Sequence, residues 1–192
     1  LGTLLFRSFN YPLLIKIGPK LSGFALKIGL PIKGIIKDTI FSWFCGGESI
    51  EECTPTIENL YKNKVGTILD YSVEGEDNDL SKDSTCAEII ATIENAKGND
   101  SIPFCVFKTT GLVKPEILEK LGKQEELTER EQEWRINFEN RFEEICKKAH
   151  ELNVRLFVDA EESFYQDAID DITYRMMEKY NTEKAIVHNT IQ

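Results

Sequence analysis

The chain has 192 residues, of which 41% are hydrophobic and 29% are charged. This composition fits one globular domain with a hydrophobic core and excludes a disordered chain. A net charge of −10 argues against nucleic acid as a partner, because a polyanion is repelled by an acidic protein. The five cysteines are widely spaced and include no Cys-x-x-Cys pair, which points to neither a zinc site nor a disulfide framework and favours a reducing compartment.

The charge is unevenly distributed along the chain. Residues 1–44 carry six basic side chains and one acid, Asp38, whereas the remainder carries 17 basic and 32 acidic side chains. We expect residues 1–44 to form a basic, apolar helical arm. Glycine and proline interrupt its apolar run, so it is a poor membrane span. It lacks a small-residue cleavage site after a short apolar stretch, so it is a poor secretory signal. We favour an accessory arm packed on the domain; the alternative is peripheral contact with an anionic membrane surface.

Beyond the arm, short β-rich apolar runs alternate with helical patterns. Strands are predicted at 66–71, 104–109, 154–159 and 185–191, with helices between them. The interval near 113–152 is a helical insertion, in which Thr128 and Glu131 form a capping box before a long amphipathic helix. Apolar strands that alternate with helices predict an α/β fold built from βαβ units, with adjacent parallel strands in sequential order.

Polar residues lie at or just beyond the carboxyl end of each predicted strand. Ligands of α/β folds bind beyond the carboxyl ends of the strands, so these residues are candidates for a site. They are Asp70 and Glu74 at the first strand, Lys108 at the second, Asp159 at the third, and His188, Thr190 and Gln192 at the fourth.

Lys108 and Asp159 are the most informative of these residues. A lysine at the end of an apolar strand is costly unless its charge is matched. Asp159 ends the neighbouring strand at the equivalent height, and side-chain alternation puts both residues on one face. We therefore expect a Lys108–Asp159 pair suited to anchoring a small anionic substrate; a purely structural ion pair is the alternative. Asp159 is also placed to cap the next helix, with Glu161 and Glu162 expected in its first turn.

Several separated segments resemble the proline dehydrogenase family, in that family's order: FCGGESIEEC, VGTILDYSVEGE, FKTTGL, RLFVDAEESF and the closing NTIQ. The resemblance runs from about residue 44 to the end. It is strongest to the monofunctional branch, which includes mitochondrial enzymes and some bacterial relatives. It implies a (βα)8 TIM barrel that holds FAD, oxidises L-proline to 1-pyrroline-5-carboxylate and passes electrons to a membrane quinone. The implied location is mitochondrial, at the inner membrane or its matrix side, in a eukaryote, and cytoplasmic and membrane-peripheral in a bacterium.

The resemblance also implies roles for individual residues. Lys108 of FKTT corresponds to a lysine that holds the proline carboxylate, and Asp159 of VDAEE lines the same pocket. Gln192 corresponds to a flavin contact, and Glu74 to an acid that pairs with a substrate-binding arginine. The family's later FAD-binding and substrate-binding segments have no counterpart here. We therefore expect the arm, 1–44, to precede the first half of the barrel, 45–192, and the chain alone to be incomplete as an enzyme.

Two other hypotheses stay open. The first is a barrel enzyme that depends on a divalent metal ion and uses Asp70, Glu74, Asp159 and His188 as ligands, although a histidine at such a position is more often part of the core. The leading interpretation includes no metal. The second is a catalytically silent fragment that binds a partner through an unpaired sheet edge or through the basic arm.

Overall fold

The computed structural model describes residues 2–71 and 78–191. Its internal contacts divide the chain into two units, Leu1–Thr56 and Ile57–Gln192. The predicted boundary near residue 44 is therefore not where the contacts divide the chain, and the functional division into arm and barrel stays a prediction.

The first unit is helical. Its helices are α1 (Gly2–Ser8), α2 (Pro12–Lys27), α3 (Lys33–Ile36), a π-helical turn (Lys37–Phe41), α4 (Ser42–Phe44) and the start of α5 (Ile50–Lys62). Proline at the first position of α2 starts that helix without losing a hydrogen bond. No described residue of α2 is buried.

Surface contacts connect the helices of this unit. The ring of Phe6 lies edge to face with those of Phe9 and Trp43, at centroid distances of 5.7 and 5.9 Å. The Lys37 ammonium pairs with Glu48 at 2.7 Å and with Glu52 at 3.0 Å. Exposed ion pairs of this kind contribute little to stability.

The second unit is an α/β structure. Its strands are β1 (Ile68–Asp70), β2 (Phe104–Lys108), β3 (Leu156–Asp159) and β4 (Val187–Asn189), and its main helices are α6 (Asp79–Ala96), α7 (Pro115–Gly122), α8 (Glu129–Leu152) and α9 (Gln166–Tyr180). Within the described residues, the four strands form one sheet in the order β1-β2-β3-β4, and each pairing is parallel. The predicted strand order and direction are confirmed. Sequential parallel strands joined by helices fit part of a (βα)8 barrel.

The two faces of the sheet differ in burial. One face carries the fully buried side chains of the sheet, which belong to Cys105, Phe107, Leu156, Val158 and Val187. Phe107 packs edge to face on Phe142 of α8, with ring centroids 5.1 Å apart. The other face is half-buried, and there Phe104 of β2 stacks on Phe157 of β3 at 4.4 Å. The helix-facing side therefore holds the core, and the carboxyl edge of the half-buried face is available to a ligand.

The ends of α8 follow local rules of helix termination. Thr128 caps the first turn, and the Glu131 side chain accepts from the Thr128 backbone, which confirms the predicted capping box. A hydrogen bond from Lys120, with further bonds from Thr128, lowers the pKa of Glu131 to about 2. At the other end Asn153 adopts a left-handed conformation, with φ of 54°, and turns the chain towards β3.

Candidate active site

Lys108 and Asp159 meet at the carboxyl ends of β2 and β3. The parallel register places the two residues directly opposite each other. The Lys108 ammonium donates a hydrogen bond to Oδ2 of Asp159. Their side chains are 37% and 36% exposed, so the pair is partly buried yet reachable by a ligand. The expected approach of these two side chains is confirmed.

The surroundings keep the Lys108 ammonium charged. The hydrogen bond with Asp159 is the main cause that raises the pKa of Lys108 above its ordinary value of 10.5, and partial burial opposes it. The negative charges of Asp159, Asp70 and Glu161 raise the pKa of Lys108 further. An ammonium has three N–H donors, so one donated to Asp159 leaves capacity for a ligand carboxylate.

Glu161 contributes to this edge in a way that the sequence analysis did not predict. Its carboxylate accepts hydrogen bonds from the backbone N–H of Thr110 at 2.9 Å and from the Thr110 hydroxyl at 2.5 Å. The interpretation of Asp159, Glu161 and Glu162 as the cap and first turn of the next helix is wrong. The chain turns once more before α9 begins at Gln166, and Tyr165 rather than Asp159 precedes that helix.

Two buried cations also support the loop after β2. Lys82 of α6 donates to the Thr110 carbonyl at 3.0 Å. Arg141 of α8 donates to the Leu112 carbonyl at 3.1 Å and pairs with acids of α6. Neither cation was predicted from the sequence. The burial of Arg141 could have been inferred from the sequence, because Arg141 lies three residues after Phe138 on the apolar side of α8.

The remaining candidates have separate positions. Thr190 accepts from the Ala160 N–H at 2.6 Å and donates to the Val158 carbonyl at 3.0 Å, so its hydroxyl joins the ends of β3 and β4. The His188 ring contacts the rings of Phe104 and Phe157 at 5.6 and 5.4 Å and belongs to the aromatic cluster of the half-buried face. Glu74 and Gln192 lie outside the described residues.

The metal hypothesis includes Glu74, which lies outside the described residues. Across residues 2–71 and 78–191, no group of three or more histidine, cysteine, aspartate or glutamate side chains is arranged to hold a metal ion. Asp159 is engaged with Lys108, and His188 with aromatic rings. What the edge offers instead is a charged ammonium, which suits an organic anion.

Known proteins resemble this chain over most of its length. A family model described as proline dehydrogenase matches residues 53–192. Proline dehydrogenase 1, mitochondrial, of Dictyostelium discoideum is 33% identical over 205 residues, an alignment that covers 86% of this chain and 36% of the relative. The carbapenem antibiotics biosynthesis protein CarD of Pectobacterium carotovorum is 29% identical over 175 residues, covering 90% of this chain and 46% of the relative.

A solved structure gives an independent view of the fold. The crystal structure of proline utilization A (PutA) from Bdellovibrio bacteriovorus, inactivated by N-propargylglycine, superposes with a TM-score of 0.64 at 17% identity, covering 83% of this chain and 18% of that chain. At this identity the likeness shows the fold alone. The chain spans less than half of the length of the two curated relatives described above. Because the family model matches most of the chain, the chain belongs to the proline dehydrogenase family.

Proposed function

We propose that the natural protein containing this chain is an FAD-dependent enzyme that oxidises L-proline to 1-pyrroline-5-carboxylate and passes the electrons to a quinone. The observation that carries the proposal is the Lys108–Asp159 pair at the carboxyl edge of the sheet, in a chain of this family. L-Proline carries one carboxylate, and an ammonium with free donors is the matching group. Membership of the proline dehydrogenase family supports this reaction class.

In this proposal Lys108 and Asp159 have distinct tasks. The Lys108 ammonium binds the substrate carboxylate and fixes one end of the molecule. Asp159 holds the ammonium in place from the opposite strand, so the cation is oriented before the substrate arrives. Orientation of this kind lowers the entropic cost of bringing the reacting ring carbon to its acceptor.

The residues present fit a flavin beside this anchor. Val106 and Phe157 are half-buried on the same face as Lys108, next to it along the strands, and offer an apolar surface of the kind that a flat ring system needs. When bound, FAD supplies the hydride acceptor for the oxidation. A flavin contact by Gln192 and an arginine partner for Glu74 are part of the proposal and rest on the family resemblance alone.

The test uses the full natural chain. The purified protein is expected to show flavin absorbance and to reduce a water-soluble quinone when L-proline is added. Lys108→Ala is expected to raise the KM for proline about tenfold to a hundredfold, since a charge-assisted hydrogen bond contributes about 1.5–3 kcal/mol. Lys147→Ala removes an exposed lysine of α8 and serves as the control. A colourless, inactive protein, or an unchanged KM in Lys108→Ala, would contradict the proposal.

We propose a mitochondrial location with peripheral contact to an anionic membrane surface through α2. Relatives from Dictyostelium discoideum and Arabidopsis thaliana are named mitochondrial. With about 3.6 residues per turn, Lys16, Lys20 and Lys27 fall on one side of α2. Large exposed apolar side chains, including Leu13 and Phe24, lie next to that side. An exposed helix of this composition suits the interface of an anionic bilayer.

Among the described residues, no helix is both long enough and apolar enough to cross a bilayer.

Vesicle sedimentation tests the membrane contact in the full natural chain. Vesicles that contain phosphatidylserine are expected to bind the protein more tightly than phosphatidylcholine vesicles. Replacing the three α2 lysines by glutamine is expected to weaken that binding about a hundredfold, at about 1 kcal/mol per lysine. Equal binding to both vesicle types would contradict the contact. A fluorescent fusion of the natural protein that stays outside mitochondria would contradict the location.

A further inference from the structure

A second contact repeats the Lys108–Asp159 register beyond the strand ends. Thr110 lies two residues after Lys108, and Glu161 lies two residues after Asp159. Both oxygens of the Glu161 carboxylate are used: one accepts from the Thr110 N–H and the other from its hydroxyl, at 2.9 and 2.5 Å. The pairing of β2 with β3 is thus extended by side chains into the two loops that follow these strands.

The Thr110 side of this contact is anchored in the helical layer. The Thr110 carbonyl accepts from Lys82, a buried residue of α6, at 3.0 Å. One residue further towards the strand, Thr109 is fully buried, and its hydroxyl finds no partner among the described residues. The backbone of this loop therefore has contacts on both sides, and Glu161 supplies the one that faces β3.

The Glu161 side is anchored through α9 and β4. The Glu161 N–H donates to the side chain of Gln166 at 2.8 Å. The Gln166 amide donates to Asp170 at 2.8 Å, and the same Asp170 oxygen accepts from Asn189 of β4 at 2.8 Å. A continuous series of hydrogen bonds therefore crosses the carboxyl ends of β2, β3 and β4 beside the ion pair, with Glu161 at its centre.

We propose that Glu161 is a positioning residue for this site: through Thr110 it holds together the two strand-end loops that follow Lys108 and Asp159. The inference rests on the proposed function, because it concerns the anchor for the substrate carboxylate. Glu161 does not need to touch the substrate. Its two charge-assisted hydrogen bonds restrict the separation of the loops and hence the placement of the Lys108 ammonium.

Three variants of the full natural chain test this role. Thr110→Val removes the hydroxyl donor and keeps the side-chain shape, whereas Thr110→Ser keeps the hydroxyl. Glu161→Gln removes the charge and leaves one acceptor oxygen. The control is Thr173→Val, which removes a buried hydroxyl bond to the Ile169 carbonyl inside α9, away from the strand ends.

The readouts are steady-state kinetics with proline and calorimetric binding of cyclopentanecarboxylate, a ring carboxylate without the proline nitrogen. Thr110→Val and Glu161→Gln are expected to raise both the KM and the Kd about tenfold with kcat changed less than about twofold, because ground-state anchoring is lost. Thr110→Ser is expected to stay within about twofold of the wild type, and Thr173→Val to leave KM and Kd unchanged even if it lowers the melting temperature.

The outcomes separate the two proposals. A wild-type protein that oxidises proline, together with Thr110→Val and Glu161→Gln variants of unchanged KM and Kd, would overturn the positioning role alone. An equal rise of KM in Thr173→Val would do the same, because it would trace the effect to general stability. A wild-type protein that neither oxidises proline nor binds the carboxylate would overturn the proposed function and this inference with it.

Discussion

The two units differ in how far their large apolar side chains are exposed to solvent. In Leu1–Thr56 most of the described large apolar residues are exposed, as Leu13 at 67% and Phe24 at 60% illustrate. In Ile57–Gln192 comparable side chains such as Phe142 are completely buried. Apolar content alone therefore does not predict a core. A core forms where the apolar side of a helix meets a sheet or a second helix within the same unit.

Charged side chains differ between the units in the same direction. Lys37 of the first unit pairs with two glutamates in an exposed setting. Arg141 of the second unit is only 6% exposed and connects α8 with α6 through Asp79 and Asp83, at 2.8 and 2.7 Å. A buried cation needs its partners, whereas an exposed one can be solvated instead. Matched substitutions in the two settings should therefore have very different effects.

The largest expected difference comes from truncating an aromatic ring in each unit. Phe142→Ala leaves a cavity between Phe107 and Phe138 and is expected to lower the free energy of unfolding by about 3–5 kcal/mol. Phe24→Ala in α2 is expected to change it by less than about 0.5 kcal/mol. Urea denaturation of the full natural chain measures both. Equal losses would mean that the first unit has a core of its own.

A second comparison replaces an arginine. Arg141→Met leaves the buried Leu112 carbonyl without its donor and removes two ion pairs, with an expected loss of about 2–3 kcal/mol in the free energy of unfolding. Arg175→Met removes ion pairs at the exposed surface of α9 and is expected to cost less than about 1 kcal/mol. Urea denaturation of both variants measures the two losses. If Arg141→Met left the free energy of unfolding unchanged, the contacts of Arg141 would be dispensable for stability.

A third prediction concerns the pH dependence of carboxylate binding. The pKa of Lys108 is raised in the folded protein, so its charge is fully present below the ordinary value of 10.5 and is lost as the pH rises through the higher folded value. Affinity for cyclopentanecarboxylate is therefore expected to persist up to about pH 10.5 and to fall above it. Asp159→Asn removes the main cause of the shift and should move the fall to lower pH. Calorimetry across the alkaline range measures it, and an unchanged profile would count against the pairing.

The smallest expected effect concerns the helix caps. Thr128 caps α8 with its side chain, whereas Tyr11, which precedes α2, makes no side-chain cap. Thr128→Ala is expected to lower the free energy of unfolding by about 1 kcal/mol, and Tyr11→Ala to leave it nearly unchanged. Thermal unfolding of both variants provides the measurement. A comparable loss in Tyr11→Ala would show that α2 contributes to stability after all.

The strands and the ion pair were predictable because they follow from short-range patterns. Short continuous apolar runs identified β2 and β3, and the parallel arrangement followed from the helices between the strands. Lys108 and Asp159 could then be placed on one face by counting along each strand. Position within a regular element is a local property, and local properties are visible in the sequence.

The role of Glu161 was not predictable in that way. Its partner Thr110 lies 51 residues earlier, in a single 3-10 turn that is too short for a sequence periodicity to reveal. The acidic run after β3 matched the composition of a helix start, but the chain makes a further turn before α9. Lys82 was missed for a related reason, since its burial depends on a loop that packs over it. Contacts between loops depend on tertiary structure, which single-sequence patterns do not contain.

The sequential order of the strands also governs how the protein can be made. Among the described strands, β2, β3 and β4 each pair with the strand synthesised just before them, so each finds its neighbour among residues that have already left the ribosome. The longest delay between the synthesis of two paired strands separates β2 from β3, because 47 residues, including α7 and α8, must be translated between them. At about 5–20 residues per second the free edge of β2 is exposed for about 2–9 s. That interval is when a nascent chain is most open to pairing with a strand of another chain, and hence when a chaperone has most to protect.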